Sequence, residues 1–206
     1  MPVGLRWIND GSCATVQPDS IRRSPPVSLA PPSPLSPSYS RLSVALHWLM
    51  LFLLIAVYAA ILLRENYPRG SEIREAFKAW HFSLGLMVFA LVWARLIARW
   101  TGGTRARPVG GAAWAGALMH LALYGFMIAM PLLGWITLSA EGDPVRLFGL
   151  GLPALTGPDE ILAGRTEEIH ETLGTVGYWL VGLHAAAALF HHYVLRDGTL
   201  RRMIRW

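Results

Sequence analysis

Residues Glu168–Tyr193 read EIHETLGTVGYWLVGLHAAAALFHHY, an apolar helix that carries His170, His184, His191 and His192. His170 and His184 are fourteen residues apart; at about 1.5 Å and roughly 100° per residue they lie near one meridian, on the order of 21 Å apart along the axis. One helix therefore presents two imidazoles to one interior face at two depths. Ionisable residues inside a bilayer are costly and mark functional sites, so two on one face predict two occupants. If each occupant needs a second ligand, other helices must supply a histidine at each depth.

The composition agrees with a membrane setting: 53% of residues are hydrophobic and 15% charged. The net charge of +5 would suggest nucleic-acid binding in a soluble chain. Here the arginines flank hydrophobic segments, so they read as topology signals and no nucleic-acid partner is expected. The single cysteine, Cys13, excludes an internal disulfide, a Cys-x-x-Cys-His attachment site and a thiolate cluster. Any haem must be held non-covalently. Residues 1–38 are rich in Pro and Ser (SPPVSLAPPSPLSPS) and lack hydrophobic periodicity, which predicts a disordered amino-terminal tail. They also lack the apolar run and cleavage site of a secretory signal.

Residues 39–206 form the predicted membrane domain, with spans at about 42–63, 79–98, 112–138 and 174–195, each near the 20 residues that crossing a bilayer requires. The segment from Arg64 to Lys78 reads as a surface loop or interfacial helix, and Pro131 predicts a kink in the third span. The loop from Ala140 to Glu167 is acidic. Arg22, Arg23, Arg41, Arg95, Arg99, Arg105, Arg107, Arg196, Arg201, Arg202 and Arg205 fall on the opposite side. The positive-inside rule then places both termini in the cytoplasm of a multi-pass protein.

With four antiparallel spans, His47 lies near the inner end of helix one and His81 near the outer end of helix two. His170 is level with His81, and His184 lies deeper, level with His47. Two bis-histidine sites at two depths, without thiolate or carboxylate ligands nearby, suit two b-type haems stacked across the membrane. A structural zinc site normally has four ligands and a catalytic one three plus water, whereas each level offers two. The fold class is thus an all-α membrane protein, an antiparallel four-helix bundle holding two haems. His120 finds no unmatched partner at its level and reads as a packed residue. His191, seven residues beyond His184, is placed between the inner site and the cytoplasmic surface, where it can hydrogen-bond a quinone.

YSRLSVALHWL, the Trp80-His81 opening of helix two, HLALYGFMIAMPLLGW in helix three and IHETLGTVGYWLVGLHAAAALFHHYVLRDGTLRRM together resemble the bacterial cytochrome b561 family, diheme membrane cytochromes that include superoxide oxidase. The resemblance covers about Tyr39 to the end. It implies an oxidoreductase of the bacterial inner membrane, taking electrons from superoxide at the periplasmic face and reducing ubiquinone near the cytoplasmic face. It implies His47, His81, His170 and His184 as axial ligands of the haem iron, and Arg41 and His191 as quinone contacts. The amino-terminal extension departs from the family pattern.

Superoxide is an anion, so a basic mouth would steer its encounter. Arg64, Arg69, Arg74 and Lys78 in the first outer loop and Arg165 in the second are the candidates, for steering or for pairing with haem propionates. At the quinone, His191 is the expected proton donor, since imidazole exchanges protons near neutral pH, with Arg41 offsetting negative charge. The alternative reading is a cytochrome b subunit that carries electrons from a partner dehydrogenase or hydrogenase to quinone. A third is a sensor or scaffold in which haem is structural.

Overall fold

The computed structural model describes residues 6–7, 13–14, 41–101, 111–196 and 199–204. Strands β1 (Arg6–Trp7) and β2 (Cys13–Ala14) pair antiparallel within the unit Met1–Ser36. The remainder of the expected tail, most of the linker containing Arg105 and Arg107, and Arg22, Arg23 and Arg205 lie outside the described residues.

In the second unit, four helices are long and apolar enough to cross a membrane: α1 (Arg41–Arg64), α2 (Glu72–Thr101), α3 (Gly111–Glu141) and α4 (Glu160–Phe190), the last continuing as a π-helical turn over His191–Leu195. Large apolar side chains stand exposed along them, among them Phe52, Ile55, Trp93, Leu118, Leu121, Trp179 and Leu183. In water such a surface would aggregate; against lipid it is the expected exterior. Trp100 and Trp114, both exposed, sit near helix ends, where an amphipathic ring meets the headgroup region.

Two helices begin earlier than the hydrophobic pattern suggests. α2 starts at Glu72 because Ser71 Oγ accepts the Arg74 backbone N–H at 3.3 Å and Glu72 and Glu75 complement the helix dipole in its first turn. α4 starts at Glu160, inside the acidic segment, because Asp159 accepts the N–H groups of Ile161 and Leu162, each at 3.0 Å. Both starts are set by polar caps that a search for apolar runs passes over. α3 continues through Pro131.

α1 packs along α2 and α3 along α4, with a smaller α2–α3 seam, whereas α1 and α4 have little backbone-close contact. Met50 and Leu53 of α1, Val88 and Val92 of α2 and Met127 of α3 form the buried core. The α3–α4 connection carries a hairpin, β3 (Arg146–Leu147) with β4 (Leu150–Gly151), turned by Phe148 and Gly149, both at positive φ (47° and 90°). Such two-residue turns match the twist of paired strands. Ser83 holds it to α2, accepting the Phe148 N–H at 3.1 Å and donating to the Arg146 carbonyl at 3.4 Å. Helix α5 (Thr199–Ile204) is tied to α1 by the Trp48 indole N–H, which donates to the Met203 carbonyl at 2.9 Å.

Candidate functional site

The bundle places histidines at two levels. At the end carrying the α1–α2 and α3–α4 connections, the rings of His81 (α2) and His170 (α4) lie with centres 6.1 Å apart and planes inclined by 70°. At the end carrying the α2–α3 linker and the carboxy-terminal tail, His47 (α1) and His184 (α4) stand with ring centres 6.3 Å apart. These are the loop-end and tail-end pairs. A metal–imidazole bond of about 2.0 Å, with roughly 1.1 Å from nitrogen to ring centre, places two axial imidazoles about 6.2 Å apart. Both pairs match the spacing that one metal ion between two rings requires. Among the described residues, no three His, Cys, Asp or Glu side chains converge on a common metal position.

The loop-end pair opens on a cavity of about 430 Å³ lined mainly by apolar side chains, including Leu54, Phe82, Leu86, Met130 and Trp135. That is within the size range of pockets that bury a small cofactor. His81 Nδ1–H donates to the Val57 carbonyl at 3.0 Å, which fixes the tautomer and leaves Nε2 with its lone pair, the usual arrangement of a metal-bound histidine. His170 Nδ1 is buried without a well-formed hydrogen bond, although the Met130 backbone lies within electrostatic reach. Gly134 lies against this ring: a Cβ there would stand 3.4 Å from His170 Cε1 and 3.6 Å from the Phe82 ring.

The tail-end pair is held differently. Arg95 of α2 donates from Nη1 to His47 Nδ1 at 2.9 Å and from Nε to the Tyr124 hydroxyl of α3 at 3.2 Å. Arginine has no acceptor, so His47 Nδ1 is the acceptor here. His120 also joins this level, its ring 5.7 Å from that of His184 and its Nδ1 bonded to the Gly116 carbonyl at 2.6 Å. Helix geometry alone left it without a partner because its position across the bundle depends on how α3 packs against α4.

Between the two levels α4 carries Gly177, seven residues from His170 and seven from His184. A Cβ there would overlap the Tyr58 hydroxyl and the Phe126 ring. Tyr58 donates to the Gly174 carbonyl at 2.8 Å and its ring lies 4.4 Å from that of Tyr178. Aromatic side chains from α1 and α3 thus fill the space separating the pairs.

Of the candidate cations at the mouth, Arg64 and Lys78 line the cavity, whereas Arg69 and Arg165 are exposed and do not. Lys78 pairs with Asp143 at 3.3 Å and Glu141 at 3.7 Å, and Arg64 with Glu65 at 3.7 Å, while Arg64 Nε is buried without a partner. Arg74 departs from expectation. It is 8% exposed and turned into the loop, where it donates to the carbonyls of Arg64 at 3.1 Å and Tyr67 at 3.0 Å and pairs with Glu65 at 3.1 Å. Arg41 is exposed at the first residue of α1, and His191, half-buried, opens the π-helical turn; such turns are frequent at functional sites.

Residues 38–206 match the family model described as prokaryotic cytochrome b561. The chain belongs to that family. It is 34% identical over 169 residues to cytochrome b561 homolog 1 of Escherichia coli (strain K12), covering 81% of this chain and 96% of that protein. It is 35% identical over 172 residues to the probable superoxide oxidase CybB of Yersinia pestis, covering 81% and 95%. Cytochrome b562 of Cereibacter sphaeroides is 28% identical over 182 residues, covering 82% and 96%. The chain is therefore a bacterial membrane cytochrome of electron transfer, and its family implies haem b. Apolar walls, paired imidazoles and the glycine beside His170 fit that group.

Sequence reasoning missed Arg95, Tyr124, Tyr58, Phe126, Gly134 and Gly177. A signal existed for two of them. Arg95 interrupts the apolar run LVWARLIARW but reads as an interfacial charge, and Gly177 bisects the histidine interval.

Proposed function

We propose that this cytochrome carries two b haems, on His81/His170 and His47/His184, and transfers electrons from superoxide at the periplasmic face to ubiquinone near the cytoplasmic face, with both termini cytoplasmic. The observation that carries the reading is two pairs of histidine rings with centres 6.1 and 6.3 Å apart, each pair using one residue of α4. Each haem, when bound, supplies one-electron redox chemistry between its ferric and ferrous forms. His81 with His170, and His47 with His184, would hold the two haems from both faces, leaving donor and acceptor to meet the haem edge.

At the loop end, Arg64 lines the cavity and its Nε is buried without a partner, fit for a propionate or a small anion. Glu65, Glu141 and Asp143 offset Arg64 and Lys78, so steering by this mouth is weak, with Arg69 adding an exposed charge. The superoxide assignment is supported chiefly by similarity to the Yersinia pestis protein. At the tail end, His191 hydrogen-bonds the quinone and supplies a proton, while Arg41 offsets its negative charge.

The test is a superoxide titration of the detergent-purified chain, following haem absorbance before and after ubiquinone is added, with haem-to-protein ratio measured on the same sample. Two haems reduced by superoxide and reoxidised by quinone are expected. Two haems that ignore superoxide yet answer to quinone would instead make the chain the electron-carrying subunit of a partner dehydrogenase or hydrogenase. Absence of haem would overturn the histidine pairing.

A further inference from the structure

The two levels differ in charge. At the loop end, each cation lining the cavity has a carboxylate beside it: Arg64 has Glu65, and Lys78 has Glu141 and Asp143, with Glu167 and Glu171 also in the wall. At the tail end, Arg95 has no carboxylate within salt-bridge distance among the described residues; its bonds go to His47 and the Tyr124 hydroxyl. His47 in turn has its ring centre 6.3 Å from that of His184, so the guanidinium stands beside the pair. Arginine stays protonated, and Arg95 is half-buried, where a fixed charge is screened less than at an open surface.

We propose that Arg95 sets the reduction potential of the tail-end haem above that of the loop-end haem. The inference rests on the two-haem reading. A reduced haem carries one unit less positive charge than an oxidised one, so an adjacent cation favours the reduced form. The bond behind the loop-end ligand acts in the same sense. His81 donates its N–H to a carbonyl, which makes the ring a stronger electron donor and favours oxidised iron. His47 instead faces a guanidinium. If iron takes His47 Nε2, the ring proton moves to Nδ1 and Arg95 releases that atom, yet its Nε bond to Tyr124 keeps the cation at this level. The gradient runs from the loop end to the tail end: one electron leaves the ferrous loop-end haem and reduces the ferric tail-end haem, without any further reactant.

The experiment is a potentiometric redox titration of the purified holoprotein, with haem content measured first. In the wild type two haems with separate midpoints are expected. Arg95→Gln should lower the higher midpoint by at least about tenfold in the reduction equilibrium, 59 mV for one electron, and leave the other in place. Arg95→Lys should retain most of the higher midpoint. In a His81→Ala background, which leaves the tail-end haem alone, Arg95→Gln should produce the same fall. Unmoved midpoints, movement of the lower one, or equal effects of Gln and Lys would overturn the proposal while two haems per chain keep the parent reading intact. Fewer than two haems in the wild type would instead overturn that reading. Should Arg95→Gln shed its haem, Tyr124→Phe decides: a smaller fall of the same midpoint supports the proposal, and unchanged midpoints overturn it.

Discussion

The loop-end and tail-end histidine pairs share α4 and nearly the same separation, yet the protein supports them by opposite means. His81 gives its ring proton to the Val57 carbonyl, and the cations around that cavity are matched by carboxylates. His47 receives a hydrogen bond from a guanidinium without a carboxylate partner among the described residues. Two histidine pairs of nearly equal spacing are thereby made electrically unlike. The helices bring the rings together, and what lies behind each ring gives the pair its individuality.

The comparison breaks most completely by removing one member of each pair. His170→Ala should reduce haem content from two per chain to one and spare the tail-end site, and His184→Ala should do the reverse; haem assay and low-temperature absorption of the two variants check this. Equal loss of both haems from either variant would mean that the sites are not independent. A bulkier change is next: Gly177→Val places side-chain atoms where Tyr58 and Phe126 already stand, and overpacking of this kind costs about 1–3 kcal/mol. Thermal unfolding in detergent should show the loss, and both haems should be weakened together because Gly177 lies midway. Gly134→Val, by contrast, should loosen only the loop-end haem, since its neighbours are His170 and Phe82.

Smaller effects sharpen the contrast. Arg74→Ala removes donors from two carbonyls and from Glu65, and should destabilise by about 1–3 kcal/mol while both haems remain, because Arg74 supports the loop and not the cavity. His191→Leu should slow quinone reduction with both haems retained; loss of a haem would reassign that residue. Smallest is Lys78→Ala, whose part-exposed pairs with Glu141 and Asp143 are worth at most about 1 kcal/mol. Its stability should scarcely change, and salt dependence of reduction by superoxide measures any steering.

Much of this arrangement is legible in the sequence, and the limits have physical causes. Four apolar runs and the fourteen-residue interval between His170 and His184 are local properties, and antiparallel alternation then assigns the depths of His47 and His81. The residues that distinguish the sites depend on rotation of each helix about its axis. Arg95 meets His47, and His120 meets His184, only after α1, α2, α3 and α4 have packed. The earlier starts at Glu72 and Glu160 escape an apolar search because polar caps set them. The inward turn of Arg74 likewise follows from carbonyls that converge where α1 ends, which composition does not reveal.

Gly177 also limits how this chain can change over evolutionary time. One residue inserted on either side of it would rotate one histidine by roughly 100° relative to the other and move the gap in the side-chain surface away from Tyr58 and Phe126. Substitutions along the lipid-facing side of α4 leave that relation untouched. Between His170 and His184 the helix can vary in composition away from Gly177, but not in length.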